Sequence, residues 1–341
     1  MNGATGIERP PLGIRLLHAL RKEPDWPTLT AAELIAYRDA ANRTAGSRLI
    51  RVITGFPDRG ATIGWQEVAL PDRVLQVRVY RPTPGRGGGT ALPLVLHVHG
   101  GGFVGTAAQC DWANSHLAAR LPAVVVSVEH RLLAPGTPLS AAVDDGWDVL
   151  RHIVQHAAEW GIDPARIAVA GESTGALISA LAAIRADATG LHLQAQVLVN
   201  PAVDLTETMF DYASMTQHAD SPTLTMAKLR LFQQLAVPPG ADARAVSPLY
   251  ADDPSGLAPA LVVVPTLDPV ADHGRRYAER LREFATPARV TEHSGAPHAF
   301  LTLPGVVPQA KAARAEITEF LRGRLAGSRA AAAQPTKAET R

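Results

Sequence analysis

Short apolar runs alternate with amphipathic stretches over most of the chain. Several runs carry Val, Leu or Ile at consecutive positions, which is typical of strands that are buried on both faces. The predicted strands are Gln76–Tyr80, Leu94–His99, Val124–Val128, Ile167–Ala170, Gln196–Val199 and Leu261–Val264, with a last strand-like run at Arg289–His293. The predicted helices between them are Trp112–Arg120, Ala142–Trp160, Ala176–Ala186, Val270–Phe284 and Gln309–Leu325. This alternation predicts an α/β fold, in which helices flank a mostly parallel central sheet.

Two regions interrupt the alternation. Residues 1–60 contain two amphipathic stretches, Leu12–Leu20 and Thr30–Asn42, and Thr30 and Glu33 have the spacing of a capping box. Residues 201–247 contain no strand-like run and are rich in Met and aromatic side chains. We interpret the first region as an N-terminal helical cap arm and the second as a cap insertion in a main domain at 61–326. Ordinary helix packing is the simpler explanation for most apolar side chains of the insertion. A shift in composition to Ala, Gln, Lys, Thr and Arg predicts a disordered tail at 327–341.

Composition and charge exclude several classes of function. The 341 residues are 46% hydrophobic, and 33 basic against 32 acidic side chains leave a net charge of +1. No basic field is present to attract nucleic acid or an anionic membrane surface. Cys110 is the single cysteine, and no run approaches the length of a membrane span. We therefore expect a cytoplasmic protein with no nucleic-acid partner and no stable membrane insertion. A homodimer is compatible with the sequence, which does not specify the oligomeric state.

A glycine-flanked serine follows the strand at 167–170. The sequence Gly171-Glu172-Ser173-Thr174-Gly175 lies between this strand and a helix. Glycines on both sides of the serine allow a sharp strand-to-helix turn, which holds the hydroxyl out at the N-terminus of the helix. The alternative is a structural turn whose serine caps the helix. We predict that Ser173 is a nucleophile.

A second glycine motif follows the strand that ends at His99. Gly100, Gly101 and Gly102 have no side chains to keep a substrate carbonyl away from backbone N–H donors. We expect Gly101, Gly102 and Thr174 to donate hydrogen bonds to an oxyanion, with His99 bracing the loop. A phosphate-binding loop is the competing interpretation, but no Gly-Lys-Ser/Thr sequence follows.

A serine nucleophile needs a base, and the base needs a carboxylate. In a fold of this kind the acid and then the histidine follow the serine along the chain. Asp268 and His298 each lie just past a predicted strand, so we predict that they are the acid and the base for Ser173. Asp272 and His293 are the rivals, but Asp272 belongs to the next helix and His293 to the last strand.

No metal site is predicted. His152 and His156 share one helix face, but the glutamate of a His-Glu-x-x-His motif and a third ligand are both missing.

Together, these motifs resemble those of the bacterial hormone-sensitive-lipase-like (family IV) carboxylesterases of the α/β-hydrolase superfamily. The matching segments are His99–Phe103, Ser127–Leu132, Ala141–Asp145, Gly161–Ile167, Gly171–Gly175, Asp268–Asp272 and His298–Phe300. The resemblance implies the α/β-hydrolase fold with a helical cap, and the catalytic triad Ser173, Asp268 and His298. It also implies an oxyanion hole formed by Gly100, Gly101, Gly102 and Thr174, and no cofactor. The implied reaction is hydrolysis of short- to medium-chain acyl esters.

The chain departs from this family's usual pattern near the site. Glu172, Thr174 and Ala176 replace the usual Asp, Ala and Gly around the serine, and Ala299 replaces the Gly after the histidine. Two alternatives to an esterase stay open. One is an amidase or formamidase with the same triad, and the other is a non-catalytic small-ligand receptor of the same fold.

Overall fold

The computed structural model describes residues 9–20, 23–83 and 91–326. The predicted tail at 327–341 and the first eight residues of the predicted arm lie outside this range. The described helices are α1 (Leu12–Leu20), α2 (Ala31–Ala45), α3 (Arg51–Thr54), α4 (Asp111–Arg120), α5 (Leu139–Gln155), α6 (Ala157–Trp160), α7 (Thr174–Ala188), α8 (Ala213–Gln217), α9 (Met226–Ala236), α10 (Ala271–Glu283) and α11 (Gln309–Leu325).

Eight strands form one sheet, in the order β1-β2-β4-β3-β5-β6-β7-β8. The strands are β1 (Ala61–Ala69), β2 (Val74–Pro82), β3 (Leu92–Val98), β4 (Val124–Val128), β5 (Ile162–Glu172), β6 (Ala195–Val199), β7 (Ala260–Leu267) and β8 (Ala288–Pro297). β1 pairs antiparallel with β2, and β2 pairs antiparallel with β4, whereas all other pairings are parallel. The carboxyl ends of β3, β5, β6, β7 and β8 therefore meet at one edge of the sheet.

Helices cover both faces of the sheet because the central strands are apolar on both faces. All five residues of β4 are buried. Side chains of one set, including Val95 and Val125, pack with α4 and α11. Their alternating neighbours, including Leu96 and Val126, pack with α5 and α7 on the other face. The predicted fold class, a mostly parallel sheet between helices, is confirmed.

The predicted strands and most predicted helices are present with small shifts of their ends. The helix predicted at 142–160 is divided into α5 and α6 at His156. The capping box is confirmed, since the Thr30 hydroxyl accepts the Glu33 N–H and the Glu33 carboxylate accepts the Thr30 N–H. β1 was not predicted, because it is an edge strand in which Val68 is the one buried residue.

Residues 201–247, all of which are described, contain no strand and carry α8 and α9. Both this insertion and the N-terminal arm contribute side chains to the cavity at the carboxyl edge of the sheet. Within the described part of the chain, no helix has the length and apolar character required to cross a membrane.

Candidate active site

The turn Gly171–Gly175, which carries Ser173, joins β5 to α7 through one strained residue. Ser173 has φ 53° and ψ −117°, a backbone conformation that residues other than glycine seldom adopt. A Cβ on Gly171 would lie 2.2 Å from the carbonyl oxygen of Gly175, and a Cβ on Gly175 would lie 2.1 Å from that of Val98. Both glycines are therefore sterically required for the turn.

Ser173, His298 and Asp268 form one hydrogen-bonded chain. The distance from Ser173 Oγ to His298 Nε2 is 2.9 Å, and the distance from His298 Nδ1 to Asp268 Oδ2 is 2.8 Å. Asp268 follows β7 and His298 follows β8, so the parallel strands bring the two side chains to the same edge as the turn. Asp268 is fully buried, and its Oδ1 accepts the N–H of Val270 at 3.0 Å. The carboxylate is thus fixed in a position to orient the imidazole.

The two rivals are engaged elsewhere. The Asp272 carboxylate accepts the N–H of Ser214 at 2.9 Å and pairs with Arg275 at 2.9 Å, as expected for a residue in the first turn of α10. His293 lies within β8, with Nε2 at 3.5 Å from the carboxylate of Glu316.

The glycine loop, Gly100–Gly102, packs directly on the turn that carries Ser173. A Cβ on Gly100 would lie 2.8 Å from the carbonyl oxygen of Glu172, and Gly101 has φ +93°. The Gly100 carbonyl accepts a hydrogen bond from Gln109, and the Gly101 carbonyl accepts one from Val104. In a trans peptide the N–H points away from the preceding carbonyl, so the N–H groups of Gly101 and Gly102 face away from these partners.

The three glycines and Thr174 line one cavity together with Ser173 and His298. The residues expected to form an oxyanion hole therefore lie on the same wall as the serine and the histidine. Their role in catalysis stays a prediction.

Two stacked imidazoles support the loop from behind. The ring centroids of His99 and His130 are 4.2 Å apart. His99 Nδ1–H donates to the Gly100 carbonyl at 2.9 Å, and Nδ1 and Nε2 of His130 lie 3.1 Å and 3.3 Å from the carbonyl oxygens of Arg131 and His99. Burial lowers the pKa of His99 to about 4, and burial together with the neighbouring His99 lowers the pKa of His130 to about 4. Both rings are thus neutral at neutral pH and serve as structural supports.

The cavity above Ser173 has a volume of about 350 Å³. This volume is near the lower end of the range for small-molecule pockets. Its lining includes the apolar side chains of Leu224, Leu229 and Phe232 from residues 201–247, and also Asn42 and Thr54 from residues 1–60. A wider cleft of about 750 Å³ beside α10 is lined by none of the three predicted catalytic residues.

Three polar residues of this region were missed by the sequence analysis. Asn200 is buried at the end of β6, with Nδ2 at 3.4 Å from His298 Nε2. Asn42 of the arm accepts the N–H of Gly105 at 2.9 Å through Oδ1. Lys228 is buried among the lining residues and pairs with Glu23 at 3.3 Å. The position of Asn200 at a strand's carboxyl end was a signal that could have identified it, whereas the other two depend on contacts between distant segments.

Comparison with known proteins places the chain among α/β-fold hydrolases. A family described as having the alpha/beta hydrolase fold matches residues 95–302. The carboxylesterase NlhH of Mycobacterium tuberculosis is 37% identical over 248 residues, which cover 69% of this chain and 74% of the relative. An ethyl acetate hydrolase of Pseudomonas putida is 30% identical over 257 residues, covering 74% of this chain and 79% of the relative.

Solved structures of ester hydrolases have the same fold. An ester hydrolase from the metagenome of Lake Arreo, complexed with a derivative of bipyridine phosphonate, superposes with a TM-score of 0.80 at 30% identity. That alignment covers 92% of this chain and 98% of the other. A hyperthermophilic esterase from the archaeon Pyrobaculum calidifontis also gives a TM-score of 0.80, at 28% identity, over 91% of this chain and 96% of the other.

Proposed function

The chain belongs to the carboxylic ester hydrolases of the α/β-hydrolase superfamily, in the hormone-sensitive-lipase-like family IV, and on this premise we propose that Ser173, His298 and Asp268 are its catalytic triad. The proposed reaction is hydrolysis of short- to medium-chain acyl esters through an acyl-enzyme intermediate. The observation that carries the proposal is the chain of hydrogen bonds of 2.9 and 2.8 Å that joins the serine to the carboxylate through the imidazole.

In the acylation step, Ser173, His298 and Asp268 act in the order in which hydrogen bonds join them. Ser173 Oγ attacks the ester carbonyl while His298 Nε2 takes the hydroxyl proton, and Asp268 stabilises the imidazolium that results. The carbonyl π electrons move to oxygen, and the N–H groups of Gly101, Gly102 and Thr174 stabilise the oxyanion. The imidazolium then gives its proton to the leaving alcohol as the ester bond breaks.

Deacylation repeats the same steps with water. His298 removes a proton from the attacking water molecule, a second oxyanion forms in the same place, and Ser173 leaves with the proton returned by the imidazolium. The products are the free acid and the starting enzyme, so no external reductant, oxidant or activated donor is required.

The volume of the cavity favours substrates with a small acyl group. A volume of about 350 Å³, with Phe232 of the insertion against the glycine loop, suits a small acyl group better than a long chain. Similarity to a hydrolase named for ethyl acetate agrees with this preference. We propose that the N-terminal arm and the insertion act as the cap that sets the chain-length limit.

A substrate panel tests the proposed chemistry. We expect p-nitrophenyl acetate and butyrate to be hydrolysed much faster than the palmitate, and faster than matched aryl amides and formamides. Ser173→Ala should lower kcat by about 10⁴- to 10⁶-fold, as in other serine hydrolases. Ser255→Ala, at an exposed serine, is the matched control and should retain wild-type kcat. Preferred cleavage of amides would favour the amidase alternative, and absence of any turnover would favour a receptor.

A further inference from the structure

Three potential metal ligands lie together directly behind the turn that carries Ser173. His97 belongs to β3, Cys110 ends the short helical turn Ala107–Cys110, and Glu172 is the last residue of β5. Their relative exposures are 4%, 1% and 3%. Glu172 Oε1 lies 3.7 Å from Cys110 Sγ and 3.9 Å from His97 Nε2, and all three ligand atoms lie within 4.8 Å of one another.

This ligand set and spacing suit one transition-metal ion. Zn²⁺ in proteins is bound by imidazole nitrogen, thiolate sulfur and carboxylate oxygen. With bonds of about 2.0 to 2.3 Å in a tetrahedron, neighbouring ligand atoms are roughly 3.3 to 3.7 Å apart. The distances of 3.7 Å and 3.9 Å from Glu172 Oε1 would contract by up to roughly 0.6 Å on metal binding, and His97 Nε2 and Cys110 Sγ, which lie within 4.8 Å of each other, would close to the same range. We propose that His97, Cys110 and Glu172 form a structural Zn²⁺ site, which the sequence analysis did not anticipate.

The ring nitrogen of His97 that would not bind the metal, Nδ1, already has a hydrogen-bond partner. His97 Nδ1 lies 2.9 Å from the Ser127 hydroxyl. When Nδ1–H donates to that oxygen, the Nε2 lone pair is left facing Glu172 and is available to a cation. A hydrogen bond from the non-ligating nitrogen is the usual support for a metal-binding histidine.

Buried polar atoms beside the proposed site lack hydrogen-bond partners. A cation and its bound water would supply them. Among the described residues, neither Glu172 Oε2 nor the amide nitrogen and oxygen of Asn114 has a hydrogen-bond partner. Such buried polar atoms destabilise a fold unless they are satisfied. A cavity of about 20 Å³ is lined by His97, Asn114 and Glu172, and this space is enough for one water molecule. The cavity therefore offers space for a water molecule beside two of the three ligands, His97 and Glu172, and beside the amide of Asn114.

The position of the site indicates a structural role. Glu172 immediately precedes Ser173, so a cation bound to its side chain would anchor the strained turn from the side of the sheet. The ligands come from three separate elements, and metal binding would therefore stabilise their packing. Hydrolysis itself uses none of these three side chains. A negative result for the metal would leave the proposed triad unaffected.

Cobalt binding and thermal unfolding test this proposal on the full chain. After dialysis against a chelator, we expect one equivalent of Co²⁺ to give thiolate-to-cobalt charge-transfer absorption in the near ultraviolet, and Zn²⁺ to displace it and raise Tm. Cys110→Ser should abolish the charge-transfer band, and Glu172→Gln should weaken Co²⁺ binding at least tenfold. His192→Asn, at an exposed histidine, is the control and should bind Co²⁺ as the wild type does.

Two results would overturn the proposal. One is a wild-type protein that shows neither the charge-transfer band nor a Zn²⁺-dependent rise in Tm. The other is a band that survives in Cys110→Ser, because the metal would then be bound elsewhere. Since the first result needs only the wild-type protein, a variant that does not fold cannot prevent the test.

Discussion

The side-chain amide of Asn200 lies 3.4 Å from Nε2 of His298, the same nitrogen that faces Ser173 Oγ at 2.9 Å. Asn200 is buried and has φ +38°, a left-handed conformation that asparagine tolerates better than most residues. Its Oδ1 has no hydrogen-bond partner among the described residues. The amide therefore lies where the proton of the proposed reaction is exchanged, and we infer that it positions the imidazole.

Replacing Asn200 with aspartate tests this role. A carboxylate of the same shape would stabilise the protonated imidazole of His298. As the pH falls, the imidazole would therefore become protonated, and inactive as a base, at a higher pH than in the wild type. We expect Asn200→Asp to move the acid limb of the kcat/KM profile upward by about one pH unit or more. Asn200→Ala, which adds no charge, should keep the limb near its wild-type pH. An unmoved limb in Asn200→Asp would contradict the inference.

Ala299 carries backbone strain next to the proposed base. Its φ is 58°, in the left-handed region, where residues other than glycine are destabilised by roughly 1–2 kcal/mol. Glycine relieves this strain but has more freedom in the unfolded chain, so Ala299→Gly should raise the free energy of unfolding by about 0.5–1 kcal/mol. Urea unfolding measures the change.

Ala285 provides a matched control, because its φ is also 58° and it is not among the residues that line the cavity. Ala285→Gly should give a similar gain in stability with unchanged kcat/KM. Ala299 lines the cavity, so Ala299→Gly should also change KM. A loss of stability in both variants would mean that strain at these positions is not significant.

Phe232 should limit the length of the acyl chain. An ideal Cβ on Gly102 would lie 2.5 Å from the Phe232 ring, so the ring forms the wall facing the glycine loop. Phe232→Leu should raise the ratio of kcat/KM for p-nitrophenyl octanoate over acetate by about tenfold, the size of effect expected from one or two methylene positions in a pocket. Phe320→Leu, on the opposite face of the sheet, should leave this ratio unchanged.

Buried neutral histidines should make the fold sensitive to acid. Because burial lowers the pKa of His99 and His130 to about 4, the unfolded chain binds protons at these sites below about pH 6.5, whereas the folded chain does not. Their contribution to stability is complete above that pH and is lost as the pH falls towards 4. The loss is on the order of 3 kcal/mol per histidine.

Urea unfolding between pH 7 and pH 4.5 measures this dependence. Relative to the wild type, His130→Asn should lose less stability over that interval, although it is less stable at pH 7. His192→Asn, at an exposed position, should follow the wild-type curve. Parallel curves for His130→Asn and the wild type would show that His130 is not held neutral by burial.

The sequence predicted the elements whose signals are local. The central strands are recognisable because they are apolar on both faces, and Ser173 and Asp268 each follow such a strand. His298 follows β8, in which three of ten residues are buried, and it was identified by its place after the acid along the chain. β1 was missed because it is an exposed edge strand with one buried side chain. Its place in the sheet depends on pairing with β2, which no local pattern records.

Apart from Asn200, the functional residues that were missed depend on contacts between distant segments. Cys110 and Glu172 are 62 residues apart in the sequence, and they meet only because the turn at 107–110 packs behind the end of β5. Lys228 pairs with Glu23, which is 205 residues away. Pairings of this kind are fixed by tertiary packing, so spacing along the chain could not predict them.

Labelling with a fluorophosphonate, followed by intact mass and peptide mapping, tests the proposed nucleophile most directly. The account predicts one adduct per chain, carried by Ser173, with loss of esterase activity in proportion to labelling. It also predicts much slower labelling in His298→Ala, since the base that activates the hydroxyl is then absent. Full labelling at another residue, with esterase activity retained in Ser173→Ala, would contradict it.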